Sequence, residues 1–118
     1  KLDRLKSMNL PNVRIIGESK QHDIAKLLRK SHIGFSLHMN DESMLAAFPV
    51  KIFEFIGSGL PMLVIPKSEA GCEIESQGMG WCFEVSQIEA ASQRLVEMID
   101  STEMRCSCRK NVVDRRSV

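Results

Sequence analysis

Phe48-Pro49-Val50-Lys51-Ile52-Phe53-Glu54-Phe55-Ile56-Gly57-Ser58-Gly59-Leu60-Pro61 is the stretch on which the reading of this chain turns. It predicts a helix that begins at Pro49, whose fixed φ suits a first turn, and closes at Gly59. Lys51 and Glu54 stand alone there in an apolar run. At ~100° per residue Lys51, Glu54 and Ser58 share one sector, while Val50, Ile52, Phe53 and Ile56 cover the other side. Two explanations of the polar seam compete. Lys51 and Glu54 can pair at i, i+3 for ~0.2–0.5 kcal/mol, although cation before anion is the weaker order against the helix dipole. Alternatively the seam meets a ligand: free amides at the helix start attract a diphosphate, and Glu54, about one turn on, accepts hydrogen bonds from ribose hydroxyls. Helix geometry alone leaves the two even.

Working outward, Pro61-Met62-Leu63-Val64-Ile65-Pro66 is apolar throughout, as expected of a central strand covered on both faces of a parallel sheet. Ile33 to His38 reads as a strand before it and Gly80 to Val85 as one after it. Asn12-Val13-Arg14-Ile15-Ile16-Gly17 is a short β-branched run stopped by glycine, a fourth strand. Between them fall helical patterns: one capped by Asp23 with Ile24, Leu27, Leu28 and Ser31 on a side, and a short one from Glu69 to Gln77 with Ser68 as cap. A further helix opens on a Ser86-x-x-Glu89 capping box and carries Ile88, Ala91, Leu95, Met98 and Ile99. Thr102 to Arg116 predicts a last helix with Met104, Cys108 and Val112 in one row. Strand and helix alternate, so the class is α/β: a parallel sheet of about four strands with flanking helices, a partial Rossmann-like domain. In such sheets ligands collect beyond the carboxyl ends of the strands, here the loops after Gly17, His38, Pro66 and Val85.

The chain has 118 residues, 43% of them apolar and 26% charged, with a formal charge of +1. That suits one domain spanning residues 1–118 and gives no bulk attraction to nucleic acid. No apolar run approaches the ~20 residues of a membrane helix. The first residues carry neither an initiator Met nor an apolar signal core, so the domain is expected to be a piece of something longer. Cys72, Cys82, Cys106 and Cys108 are read as reduced thiols of a cytoplasmic protein, without a metal site, because Cys106-x-Cys108 is too tightly spaced for a zinc knuckle. Arg105, Arg109, Lys110, Arg115 and Arg116 are read as a solvated helix face, with contact to anionic lipid or to another domain as the sharper alternative. His22 and His32 are expected at the surface, His38 in a polar loop, and Trp81 in the core.

Pro49-x-Lys51-x-x-Glu54-Phe55-x-x-x-Gly59-x-Pro61 resembles a pattern shared by family 4 glycosyltransferases of the GT-B fold, in their C-terminal, donor-binding half. Leu10-Pro11-Asn12-Val13 through Gly17, Ser31-His32-Ile33-Gly34 and Gly78-x-Gly80 are similar to flanking features of that family, so the likeness runs from about residue 8 to about residue 100. The resemblance implies a retaining, metal-independent transfer from a nucleotide-diphosphate sugar, needing no cofactor, in cell-surface polysaccharide assembly. It implies that Glu54 binds the donor ribose, that the backbone from Ala46 through Phe48 and Pro49 to Val50 takes the diphosphate, and that Gly17 and Glu18 lie beside the base. Lys51 reaches a phosphate or braces the loop. The first glutamate of the family's Glu-x7-Glu pattern falls on Ala46, so no side-chain contact to the sugar is implied there. Missing from these residues are two further strand-helix units, a basic Arg/Lys pair and the N-terminal acceptor-binding domain. The piece is therefore expected to hold the donor without catalysing alone, in a cytoplasmic protein that can touch the inner face of the membrane. The rival class is a receiver-like signalling module. Its acidic cluster would have to come from Glu18, Asp41 and Glu69, which are scattered.

Overall fold

The computed structural model describes residues 2–17, 20–37 and 50–116. Three strands form one parallel sheet in the order β1-β2-β3: β1 is Gly34–Leu37, β2 Met62–Ile65 and β3 Gly80–Cys82. Around them lie α1 (Leu2–Ser7), α2 (Gln21–Arg29), α3 (Val50–Gly57), α4 (Glu69–Ser76), α5 (Ile88–Asp100) and α6 (Thr102–Arg116). β2 is central, as its apolar run predicts. All four of its residues are buried, paired to β1 from Gly34↔Met62 to Leu37↔Ile65 and to β3 from Met62↔Gly80 to Val64↔Cys82. Burying a side chain of this size removes apolar surface worth ~1.5–3 kcal/mol. Ile52 and Phe55 of α3, Ala70 and Ile74 of α4, and Val112 of α6 join Met62 and Val64 in one cluster.

The same device ends the helices that lead into β2 and β3. After α3, Gly59 N–H donates to Ile56 O (3.1 Å) and Leu60 N–H to Phe55 O (3.0 Å). After α4, Gly78 N–H donates to Glu75 O and Met79 N–H to Ile74 O, each at 3.0 Å. This is the Schellman pattern, which requires a left-handed residue after the cap; Gly59 has φ +73°. The first hydrophobic residue of each following segment, Leu60 or Met79, enters the core beside the helix just left.

Several features differ from the sequence reading. Asn12–Gly17 is not a strand of the sheet. In the order 3-2-1-4-5-6, which the resemblance implies for the whole sheet, two strands stand between that segment and β1. No described strand pairs with the segment, and Val13 N–H donates within a turn, to Leu10 O at 3.2 Å. A short helix at Leu2–Ser7 went unread, its few residues giving no periodicity. Helix α2 starts at Gln21 after Lys20, so Asp23 lies in the first turn, where its charge suits the dipole, and does not cap. The capping box is Glu84 with Gln87, not Ser86 with Glu89: Glu84 N–H donates to Gln87 Oε1 at 2.9 Å, opening a 3-10 turn before α5. Ser68 caps α4 as expected, accepting from Gly71 N–H at 3.1 Å. Ile88 and Ile99 are exposed, and Ala91 and Met98 hold the α5 core face. Phe53, expected on the covered side of α3, is 58% exposed; Phe55 is buried in its place. Trp81 is half-buried, and the Arg94 guanidinium lies 4.9 Å from its ring centroid.

All four cysteines are free thiols, Cys72 and Cys106 exposed, Cys82 and Cys108 buried. Burial pushes the Cys108 thiol up, and pushes Cys82 up from an ordinary 9.0 to about 12, with help from its hydrogen bond to Glu75 (Sγ to Oε2, 3.3 Å). The folded state then keeps a proton that the unfolded chain releases above pH 9, so this contribution to stability is complete below about pH 9 and is lost as pH rises toward 12. At pH 8 an alkylating agent should label Cys72 and Cys106 in the native protein and reach Cys82 and Cys108 only on unfolding. Mass spectrometry showing Cys82 labelled as fast as Cys72 would refute the burial.

Gly80 is the tightest backbone position: a Cβ there would lie 1.9 Å from Met62 O, a ladder atom. Gly80→Ala should cost more than about 4 kcal/mol or abolish folding. Gly57→Ala meets nothing within 4 Å and should stabilise α3 by ~0.5–1 kcal/mol. Urea denaturation followed by circular dichroism separates the two; equal midpoints would contradict the close approach.

Candidate functional site

Helix α3 carries the motif, and its amphipathic pattern sets what faces the sheet. Ile52 and Phe55 point into the core, Lys51 is exposed, and Glu54 is half-buried between them. Neither side chain pairs with the other within 4 Å; among the described residues the ion pair formed is Arg94–Glu97. The surface-pair explanation of the seam therefore fails in the structure. Glu54 instead lines a groove of about 500 Å³ between α2 and α3, whose walls include Gln21, Ile24, Leu28, Ser58 and Arg109.

A second, mostly apolar hollow of about 360 Å³ lies against the segment that ends at Gly17. Ile16, Gly17, Asp23, Ile24 and Leu27 line it. Ile24 is common to both, so α2 presents one residue to the Glu54 groove and to the Gly17 hollow. The structure thus brings Gly17 and Glu54, 37 positions apart in the sequence, to either flank of one helix. Lys51 is exposed and lines neither space. Val50 opens α3, placing its backbone at the helix start. Phe48, Pro49, Glu18, Ala46 and the loop through His38 and Asp41 lie outside the described residues.

The sequence reading sets Ile24 and Leu27 in a stripe on one side of a helix and gives them no place at the candidate site, whose spaces they line. Leu27 is 45% exposed and Ile24 half-buried, so the stripe is shared between packing and an open wall. Arg29 and Arg109 on the groove wall had no local signal, since α6 reaches α3 only through the tertiary fold. Nor is the basic row of α6 wholly a solvated face: Arg105 is half-buried, its Nη1 donating to Met98 O at 2.8 Å.

Among the described residues no three His, Cys, Asp or Glu side chains converge as a metal site would require. Among the same residues no helix is long and apolar enough to cross a membrane. Of the acidic side chains a receiver-like module would need, Glu69 is exposed in the first turn of α4, and Glu18 and Asp41 are outside the described residues.

No individual curated protein and no solved structure gave a significant match to the chain. A family model does match, over residues 1–115, nearly the whole sequence: that of the group 1 glycosyl transferases. The match takes in the α3 motif, the Glu54 groove and the three-strand parallel sheet, and it agrees with a C-terminal half of the GT-B fold. The chain belongs to the group 1 glycosyl transferases, enzymes of glycosyl transfer.

Proposed function

We propose that the chain is the donor-binding part of a retaining glycosyltransferase that uses a nucleotide-diphosphate sugar. The observation that carries this reading is Glu54. A carboxylate half-removed from water, in a groove, with no cation within 4 Å among the described residues, is poised to accept hydrogen bonds from a ligand. Paired ribose hydroxyls offer two such bonds. Ile24 then separates the ribose from the base, which rests in the apolar hollow at Ile16, Gly17 and Leu27. The diphosphate lies toward the start of α3, where backbone amides and the helix dipole favour negative charge. Phe48, Pro49 and Val50 supply those amides, Glu18 stands beside the base, and Lys51 braces the loop from outside.

The leaving group in such a transfer is a nucleoside diphosphate. Fixed amide dipoles that stabilise its growing charge lower the barrier without a metal ion or another cofactor. This part holds the donor; a second domain, with the acceptor site and further basic residues, completes the active site. The acceptor is a growing cell-surface polysaccharide, assembled at the cytoplasmic face of the membrane.

Glu54→Ala in the intact enzyme should weaken nucleotide binding by about 1.5–3 kcal/mol, the scale of charge-assisted hydrogen bonds. Glu54→Gln should recover part of that loss, because an amide oxygen still accepts. Isothermal titration with the nucleoside diphosphate reads both; unchanged affinity in Glu54→Ala removes Glu54 from the site.

A further inference from the structure

The sheet edge where β1 and β2 begin, opposite the carboxyl ends, carries another cavity, of about 220 Å³. It is lined by Arg29, Arg105 and Arg109 together with Ser31, His32 and Ser58; no Asp or Glu lines it, and the Ser31 hydroxyl donates to Leu27 O at 2.9 Å. Two of the arginines are held in place, Arg105 by the end of α5 and the start of its own α6, and Arg29 by its own α2. Arg105 Nη1 donates to Met98 O and Ile99 O, and its Nη2 to Thr102 Oγ1 at 3.2 Å. Arg29 Nε donates to Ala25 O at 3.4 Å. A guanidinium has five N–H donors, so both keep donors for another partner. None of the three has a carboxylate within 4 Å among the described residues.

Helix capping accounts for part of this charge. The cavity touches the ends of α2 and α3, and Arg105 caps the end of α5. Each helix end carries about half a negative charge. Three ends offset about half of three guanidinium charges, and the balance is positive. The recess is small, backed by the apolar Leu60 and Pro61. It suits one tetrahedral oxyanion bonded by forked N–H pairs better than a flat anionic surface.

We propose that this cavity binds the phosphoryl group of a small anionic ligand, inorganic phosphate or a phosphate monoester, in a recess that adjoins the Glu54 groove and shares a wall with it. Arg29, Ser58 and Arg109 line both spaces, so a ligand here also touches the groove wall. The proposal does not depend on the donor reading.

The test is titration of the isotopically labelled full chain with inorganic phosphate at constant ionic strength, following arginine Nε–Hε and backbone amide resonances. Saturable shifts are expected at Arg29 and Arg109 and, among residues that line this cavity but not the groove, at Arg105 and the amides of Gly59 and Leu60. Arg109→Gln and Arg29→Gln should each weaken binding about tenfold or more, the effect of losing one charged, forked contact. Arg109→Lys, keeping charge without the fork, should fall between. Glu54→Ala, which removes negative charge from the adjoining groove, should not weaken it. Absence of saturation, or equal affinity in Arg109→Gln with unchanged circular dichroism, overturns the proposal. So do shifts confined to Gln21 and Ile24, which would place phosphate in the groove instead. Binding to vesicles containing phosphatidic acid with no response to free phosphate also overturns it, in favour of surface attraction to a membrane.

Discussion

Everything in this structure depends on β2 losing water on both faces. A strand buried on both sides must satisfy each backbone N–H and C=O through its two neighbours, because an unpaired buried amide costs as much as several methylenes gain. Met62–Ile65 meets that demand with one neighbour on each edge, both parallel. Parallel pairing needs crossovers, and those crossovers are α3 and α4. The close approach of Gly80 to Met62 O belongs to the same constraint, since no side chain fits where the ladder must close.

The consequence reaches the site through the glycine turns. Each Schellman turn fixes the angle between a helix and the strand that follows, so the rotation of α3 about its axis is set by Leu60 entering the core under Phe55. With Ile52 and Phe55 facing inward, Glu54 falls between core and solvent, where it lines the groove shared with α2. A helix free to roll by one residue, ~100°, would carry that carboxylate out of the groove. α6 packs against α3, with Gly59 beside Val113 and Arg109, and it also holds the second glycine turn, where Asn111 Nδ2 donates to Gly78 O at 2.9 Å. The order of dependence runs from β2 to the glycine turns, then to α3, then to Glu54.

How much of this was legible follows from which interactions are local. The central strand could be read because four adjacent apolar residues have few other uses, and α6 because Met104, Cys108 and Val112 repeat at helical spacing up to the Thr102 and Arg116 bounds. The Lys51 and Glu54 seam could be read because the two charges interrupt an apolar run, and the motif tied Glu54 to a ligand. What local pattern could not supply was the choice between Phe53 and Phe55 for the core, since each is one residue from an equivalent face and Gly34 decides it by leaving room for the Phe55 ring. Asn12–Gly17 reads as a strand by composition, yet a strand exists only against a neighbour. The arginines around Ser58 were invisible for the same reason: α2, the turn after α3 and α6 meet only once the chain is folded.

β1 shows where the fold and the chemistry meet. Its inward residues, Gly34 and Ser36, are buried, while Phe35 and Leu37 are 44% and 58% exposed, and its outer edge pairs with no described strand. In a doubly wound sheet the ligand crevice lies where strand order reverses, beyond the carboxyl ends. In a doubly wound sheet of order 3-2-1-4-5-6, β1 would be the fourth strand and stand at that reversal. The Gly17 hollow and the Glu54 groove flank α2, the helix that leads into β1. An apolar edge beside a polar groove is then what the architecture requires. In the donor-binding reading proposed above, this uncovered strand marks the side from which the rest of an active site would close over a donor at Glu54.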